Sequence, residues 1–501
     1  MTHLPLTKPQ LRGIRSLFFI QIFSTLSFSV LYSTLVLFIT KGLQLDPDKA
    51  IAITGSFVAF NFFLHLLGGY IGGRYLSYRL LFGMGMVFQM VGCALLSLTT
   101  LDSLYWGLAA FLTGCGLNVT CVNCMVTQLF EPHDKNRESA FLWNYSGMNI
   151  GFLIGFTLSG IFQISASYSP LFLAAGVGNL IALMLVITHW SALKDKDTYL
   201  THTGAKKHFL LAIMGILFTL VIGFALRWFL NHATFSNDFI LLVGLMMLIV
   251  IICLIFQQRG AEAAKKMWAF LILLLASLIF WTLYQMAPMG LMLFITHNVD
   301  RVVLGFKVPP QWMLNINTLI IIIGGPLMAH IYKKLRTRGY TIRIPIQFTF
   351  ALLLIGIAFA ILPAGIYFAG PGGKTAFSWI VISYILQSLG ELLISPIGYA
   401  MIGQLIPCKL QGMMMGTWLM VVGIAATLSN YFSQLTISRN TLSHPLDANQ
   451  AFSHTFTILG WSAIIGAILL LCLVPFLKKL IQEKAPHETP HPYNAPEETP
   501  H

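Results

Sequence analysis

Charge is what this chain has least of. Aspartate, glutamate, lysine and arginine together make up 9% of its 501 residues, and hydrophobic residues 56%, whereas ordinary soluble domains carry about 25% charged residues. That deficit excludes a soluble globular protein. The chain also lacks a basic arm or a cationic helix face: lysine and arginine fall in short connectors, so the net charge of +13 gives no reason to expect nucleic acid as a partner. A cleavable signal peptide is not expected either, because Thr2 to Arg15 is polar and basic and the apolar run from Ser16 is too long for a signal core. The seven cysteines lie mostly inside or at the ends of apolar runs, where a thiol packs as a small hydrophobe. Cys121 and Cys124 form a CxxC, but no histidine or acid is spaced to complete a metal site. Neither a metal nor a cofactor is therefore expected. Nothing resembles a nucleophile with its base or a phosphate loop, which makes an enzyme the least favoured class.

What the chain has instead is apolar runs long enough to cross a hydrocarbon layer of about 30 Å. Fourteen recur between 16–40 and 454–477, including 208–230 and 238–257, and predict an all-α polytopic protein embedded in a lipid bilayer. An even number of crossings puts both termini on one side. Lysine and arginine alternate accordingly, with twenty-three of the thirty on the side of the termini, which predicts that this side is cytoplasmic.

Gly68-Gly69-Tyr70 followed by Arg74 and Arg79, and Gly324-Gly325-Pro326 followed by Lys333, Lys334, Arg336 and Arg338, place small residues and then basic ones at the ends of the second and tenth runs. This echo is expected of a duplicated architecture. The expected organisation is a cytoplasmic N-terminus (1–15), a six-helix bundle (16–190), a linker with two inserted transmembrane helices (191–266), a second six-helix bundle (267–480) and a disordered polar, proline-rich tail (481–501).

Of seventeen acidic residues, Glu391 alone lies deep in an apolar run. A lone carboxylate at membrane depth costs at least a few kcal/mol unless it is protonated, paired or facing water, so it marks a solute or proton pathway. The plainer alternative is a protonated Glu391 hydrogen-bonded between helices. Asn61, Asn118, Asn123, Asn149, Gln285, Asn315, Asn317 and Gln387 are further polar residues inside apolar runs, most of them expected to join helices. His65 is a second candidate proton carrier, against a structural hydrogen-bonding role. Ala287-Pro288-Met289-Gly290 and Ser395-Pro396 should loosen helical hydrogen bonding near mid-membrane, either lining a cavity or simply bending a helix.

Leu386-Gln387-Ser388-Leu389-Gly390-Glu391-Leu392-Leu393-Ile394-Ser395-Pro396, then Gly416-Thr417-Trp418, resembles a run characteristic of the proton-dependent oligopeptide transporter family of the major facilitator superfamily. Tyr145-Ser146-Gly147-Met148-Asn149-Ile150-Gly151 resembles its FYxxINxGS signature, Gln128-Leu129-Phe130-Glu131-Pro132 its ELYEP, and Leu314-Asn315 its Leu-Asn-Pro. The likeness runs from about residue 16 to 480 and points to a divergent bacterial member. It implies the major facilitator fold, two six-helix bundles plus two inserted helices, in a bacterial inner membrane. It also implies a solute site in which Glu391 receives an amine, Asn149 and Asn315 hydrogen-bond the solute, and Tyr145 and Trp418 form part of the wall.

The departures are as specific. The family's ExxER proton-coupling motif falls on Gln21, Ser24 and Thr25, its helix-four lysine on Val119, a second helix-one arginine on Tyr32, a peptide-contacting asparagine on Met292, and the aspartate of the helix-two connector on Gly73. The cations that would clamp a peptide carboxylate are gone while Glu391 remains, so a neutral or cationic ligand is expected. Glu391 and His65 are left as candidates for proton coupling. The leading expectation is alternating-access transport of di-/tripeptides or peptide-like amine-bearing solutes; the alternatives are an uncoupled carrier and a receptor or scaffold that keeps the fold without transporting.

Overall fold

The computed structural model describes residues 7–130, 136–196, 198–258, 260–338, 343–436 and 445–481. Fourteen of its helices are long and apolar enough to cross a membrane, and each of the fourteen expected runs falls on one. With no water in the hydrocarbon layer to satisfy the backbone, helices are the form such runs take. The first six are α1 (Lys8–Leu37), α2 (Pro47–Ile71), α3 (Tyr78–Leu96), α4 (Leu101–Gln128), α5 (Asn136–Ile164) and α6 (Tyr168–Thr188). α1 begins well before its apolar run, because a reciprocal cap between Thr7 and Gln10 continues the helix into the polar N-terminal segment.

α7 (Ala205–Asn231) and α8 (Ala233–Phe256) follow as a hairpin. α7 packs on α4 and α2, and α8 on α2 and α14 (Gln411–Leu435). Most of the hairpin's surface stays open to the hydrocarbon. The second bundle starts with α9 (Ala261–Tyr284) and the short α10 (Gly290–Asn298), and continues through α11 (Met313–Thr337), α12 (Ile344–Tyr367), α13 (Phe377–Leu405), α14 and α15 (Pro445–Ile481). The two proline segments behave differently. The chain leaves helical geometry between α9 and α10 across Gln285 to Met289, whereas α13 runs straight through Pro396. Residue 481 closes α15, and the rest of the tail expected to be disordered, like Glu131 and Pro132 of the second motif, lies outside the described residues.

The echoed glycines occupy matching places. A Cβ on Gly68 would lie 2.4 Å from the Gly116 carbonyl oxygen where α2 crosses α4, and one on Gly324 would lie 2.4 Å from Leu392 Cδ1 where α11 crosses α13. Each glycine thus lets the second and fourth helices of its bundle approach closely. Gly73, in the α2–α3 connector, has a φ of +74°, in the region that favours glycine, and its carbonyl accepts the Leu200 N–H of the linker at 3.1 Å. The bundles meet along α2 with α14 and α5 with α11, leaving a space between them.

Candidate functional site

That space is a cavity of about 600 Å³ walled by both bundles. Helix direction orients it. α1 and α5 both start at the face where the chain begins, and so end at the opposite, distal face. Near the distal face four hydrogen bonds cross from one bundle to the other. Tyr32 Oη donates to Gln285 Oε1 at 3.0 Å, Gln311 Nε2 to Gln163 Oε1 at 3.0 Å, Trp312 Nε1 to the Thr157 carbonyl at 3.1 Å, and Asn315 Nδ2 to Thr157 Oγ1 at 3.0 Å. At that end of the cavity Tyr32, Gln285 and Tyr384 are mostly buried, while toward the terminal face Tyr145 and Tyr399 are 44% and 46% exposed. Among the described residues the cavity is closed distally and open on the face of the termini.

Among the described residues lining the cavity, Glu391 is the one that carries a formal charge. Its Oε2 accepts from Asn317 Nδ2 at 2.7 Å, and the Tyr284 hydroxyl lies beside it. Asn317 is steadied in turn by Ser388 Oγ at 3.2 Å. Both neighbours are neutral, so the carboxylate is held in place without being neutralised by a cation. The arrangement suits a carboxylate that awaits a cationic or proton-donating group from the cavity.

Asn149 and Tyr145 line the cavity from α5, where Asn149 Nδ2 donates to the Tyr145 carbonyl at 3.0 Å. Trp418 walls it from α14, packed edge-on against Phe348 at 6.4 Å and seated over Gly398, where a Cβ would lie 2.1 Å from its ring. His65 lines it from α2. Asn315 does not. Two residues on a helix are about 200° apart, so the phase that turns Asn317 into the cavity turns Asn315 onto Thr157. Asn317 stands among the polar residues of the apolar runs, but the sequence alone does not set the phase of α11. Tyr32, Tyr284, Tyr384 and Tyr399 also line the cavity; a tyrosine in an apolar run reads equally well as packing.

The family-departing positions cluster at this cavity. Gln21, Ser24, Thr25, Tyr32 and Val119 all line it, and Gln21 Nε2 donates to Thr25 Oγ1 at 2.9 Å. Met292 is fully buried away from it.

The POT family model matches residues 80–448, well over half of the chain. The chain belongs to the POT family. Relatives within the family include dipeptide and tripeptide permease A of Cronobacter turicensis, 29% identical over 487 residues that cover 96% of this chain and 95% of that protein. Dipeptide and tripeptide permease A of Escherichia coli is 28% identical over 479 residues, 94% and 93% of the respective chains. A crystal structure of a POT peptide transporter in complex with sulfate matches with a TM-score of 0.79 and 25% identity over 94% of this chain and 95% of that one. This POT member is thus an integral membrane protein of the major facilitator fold, in a family of transporters.

Proposed function

We propose that this POT member carries di- or tripeptides, or peptide-like solutes bearing an amine, across the membrane by alternating access. The observation that carries this reading is the single carboxylate in the wall of a cavity lying between two bundles, sealed at one face and open at the other. About 600 Å³ falls within the usual range of pockets for small molecules. Glu391, steadied by Asn317 and with Tyr284 beside it, receives the ammonium group; Asn149 and Tyr145 offer hydrogen bonds, and Trp418 an apolar wall. Asn317 takes the place in this set that Asn315 was expected to hold. The protein acts as a carrier rather than an enzyme, sits in a bacterial inner membrane with both termini cytoplasmic, and is therefore inward-open in this conformation. Where a proton is moved, Glu391 carries it, with His65 as the second group able to do so.

Uptake of labelled dialanine and trialanine, with and without a free carboxylate, into sealed proteoliposomes tests this. Internal accumulation that is lost in Glu391→Gln supports it. Saturable binding with no label inside the vesicles identifies a receptor instead, and neither binding nor uptake of any of these probes overturns the peptide reading.

A further inference from the structure

The wall opposite Glu391 contains polar side chains left without partners. Asn61 and His65 stand one turn apart on α2, and Asn118 lines the same cavity from α4. They are 5%, 7% and 5% exposed, and among the described residues none of the three side chains makes a hydrogen bond with the protein. His65 Nδ1 and Asn118 Oδ1 are buried atoms lacking any partner. Here α2 and α4 cross closely. A Cβ on Gly116 would lie 2.4 Å from Leu64 Cβ, and Thr120 Oγ1 donates to the His65 carbonyl at 2.8 Å, so the stretch around Asn118 lies directly against the stretch around His65. Buried polar groups are normally hydrogen-bonded, so unbonded ones in the wall of a cavity are met by water or by a ligand.

The bundle pseudo-symmetry sharpens the point. Asn61 stands seven residues before Gly68, and Asn317 seven before Gly324, the two glycines that let second and fourth helices cross. In the second bundle this asparagine is hydrogen-bonded to a carboxylate on the fourth helix. In the first, no acid lines the cavity from α2 or α4 among the described residues. The two walls thus differ, one bearing a carboxylate and the other Asn61, His65 and Asn118.

We propose that the α2/α4 wall is a second subsite that takes an uncharged carboxamide, so that the preferred solutes are amine-bearing amides such as amidated dipeptides rather than peptides with a free carboxylate. This rests on the carrier reading above and deepens it. A carboxylate only accepts hydrogen bonds, brings a charge, and meets no cation in the lining of this cavity. A carboxamide offers two donors and an acceptor with no charge, matching the mixed donor and acceptor capacity of two asparagines and a neutral imidazole.

The test is equilibrium binding to the purified full chain of alanyl-alaninamide, alanyl-alanine and alanyl-alanine methyl ester, the last sharing the amide's charge but lacking its terminal N–H donors. The amide is expected to bind at least tenfold more tightly than the free dipeptide and about threefold more tightly than the ester, as one or two recovered hydrogen bonds allow. Asn118→Leu and His65→Leu should weaken both ligands but the amide more, bringing amide and ester to equal affinity. Val119→Lys, adding a cation beside Asn118, should turn the preference toward alanyl-alanine, an outcome that misfolding cannot mimic. Equal or tighter binding of alanyl-alanine by the unmodified chain overturns the inference, as does an amide preference that survives both leucine variants, because Glu391 alone would then account for it. If none of the three probes binds, the carrier reading itself falls and the inference with it.

Discussion

Glu391 is anchored by Asn317 at 2.7 Å, and hydrogen bonds to charged groups are worth about 1.5–3 kcal/mol. Asn317→Ala is therefore expected to weaken solute binding by about tenfold or more, measured by titration of the purified protein. Asn315→Ala should leave that affinity within about twofold of the unmodified chain, since Asn315 bonds to Thr157 rather than lining the cavity. Equal losses in the two variants would contradict the assignment. Glu391 was legible in the sequence because a charge at membrane depth is costly enough to be rare, and one such residue among seventeen acids stands out without any knowledge of packing. The choice between Asn315 and Asn317 was not legible, because it depends on the rotation of α11, and an apolar run shows length far more clearly than phase. Asn61, His65 and Asn118 were visible only as three separate polar residues; the cavity they all line is what brings them into one wall.

At the scale of elements, four neutral hydrogen bonds close the distal face. Such bonds contribute about 0.5–1.5 kcal/mol each, weak enough for the closure to be reversible. Tyr32→Phe leaves Gln285 Oε1 without this donor and costs about 1 kcal/mol, which should raise the distally open population about fivefold. Pulsed electron-spin distances between labels at the distal ends of α5 and α11 report it, and an unchanged distance distribution would show that Tyr32 plays no part in the closure. The close crossing of α2 and α4 makes the opposite kind of demand. Gly116→Val would press a side chain onto Leu64, 2.4 Å from its Cβ and 3.1 Å from its carbonyl, and overpacking of this sort costs about 1–3 kcal/mol. A clearly lowered melting temperature is the expected result, and an unchanged one would mean that the helices have room to part. The fourteen helices were readable because each apolar run is long and bounded by polar connectors. The unequal fate of the two prolines was not. Pro288 cannot supply the N–H that would extend α9, and α10 starts afresh at Gly290, whereas α13 continues through Pro396.

At the scale of the whole molecule, family membership brings the fold, and this chain's own residues alter the site within it. Among the described residues cations are absent from the cavity's lining, a carboxylate is kept, and the helix-one acids give way to Gln21, Ser24 and Thr25. The duplicated plan was faintly legible in the glycines of α2 and α11, and the three-dimensional crossing of each with the fourth helix of its bundle gives that echo its meaning. In the proposed mechanism one carboxylate, Glu391, both receives the solute's amine and couples its movement to protons. The most direct measurement is accumulation of alanyl-alaninamide and alanyl-alanine in proteoliposomes under an imposed proton gradient, comparing the unmodified chain with Glu391→Gln. Uphill accumulation by the unmodified chain should collapse by about a hundredfold or more in the variant, as expected when a buried, hydrogen-bonded charge loses its role. Uphill accumulation that persists in Glu391→Gln would place the coupling elsewhere and contradict the mechanism.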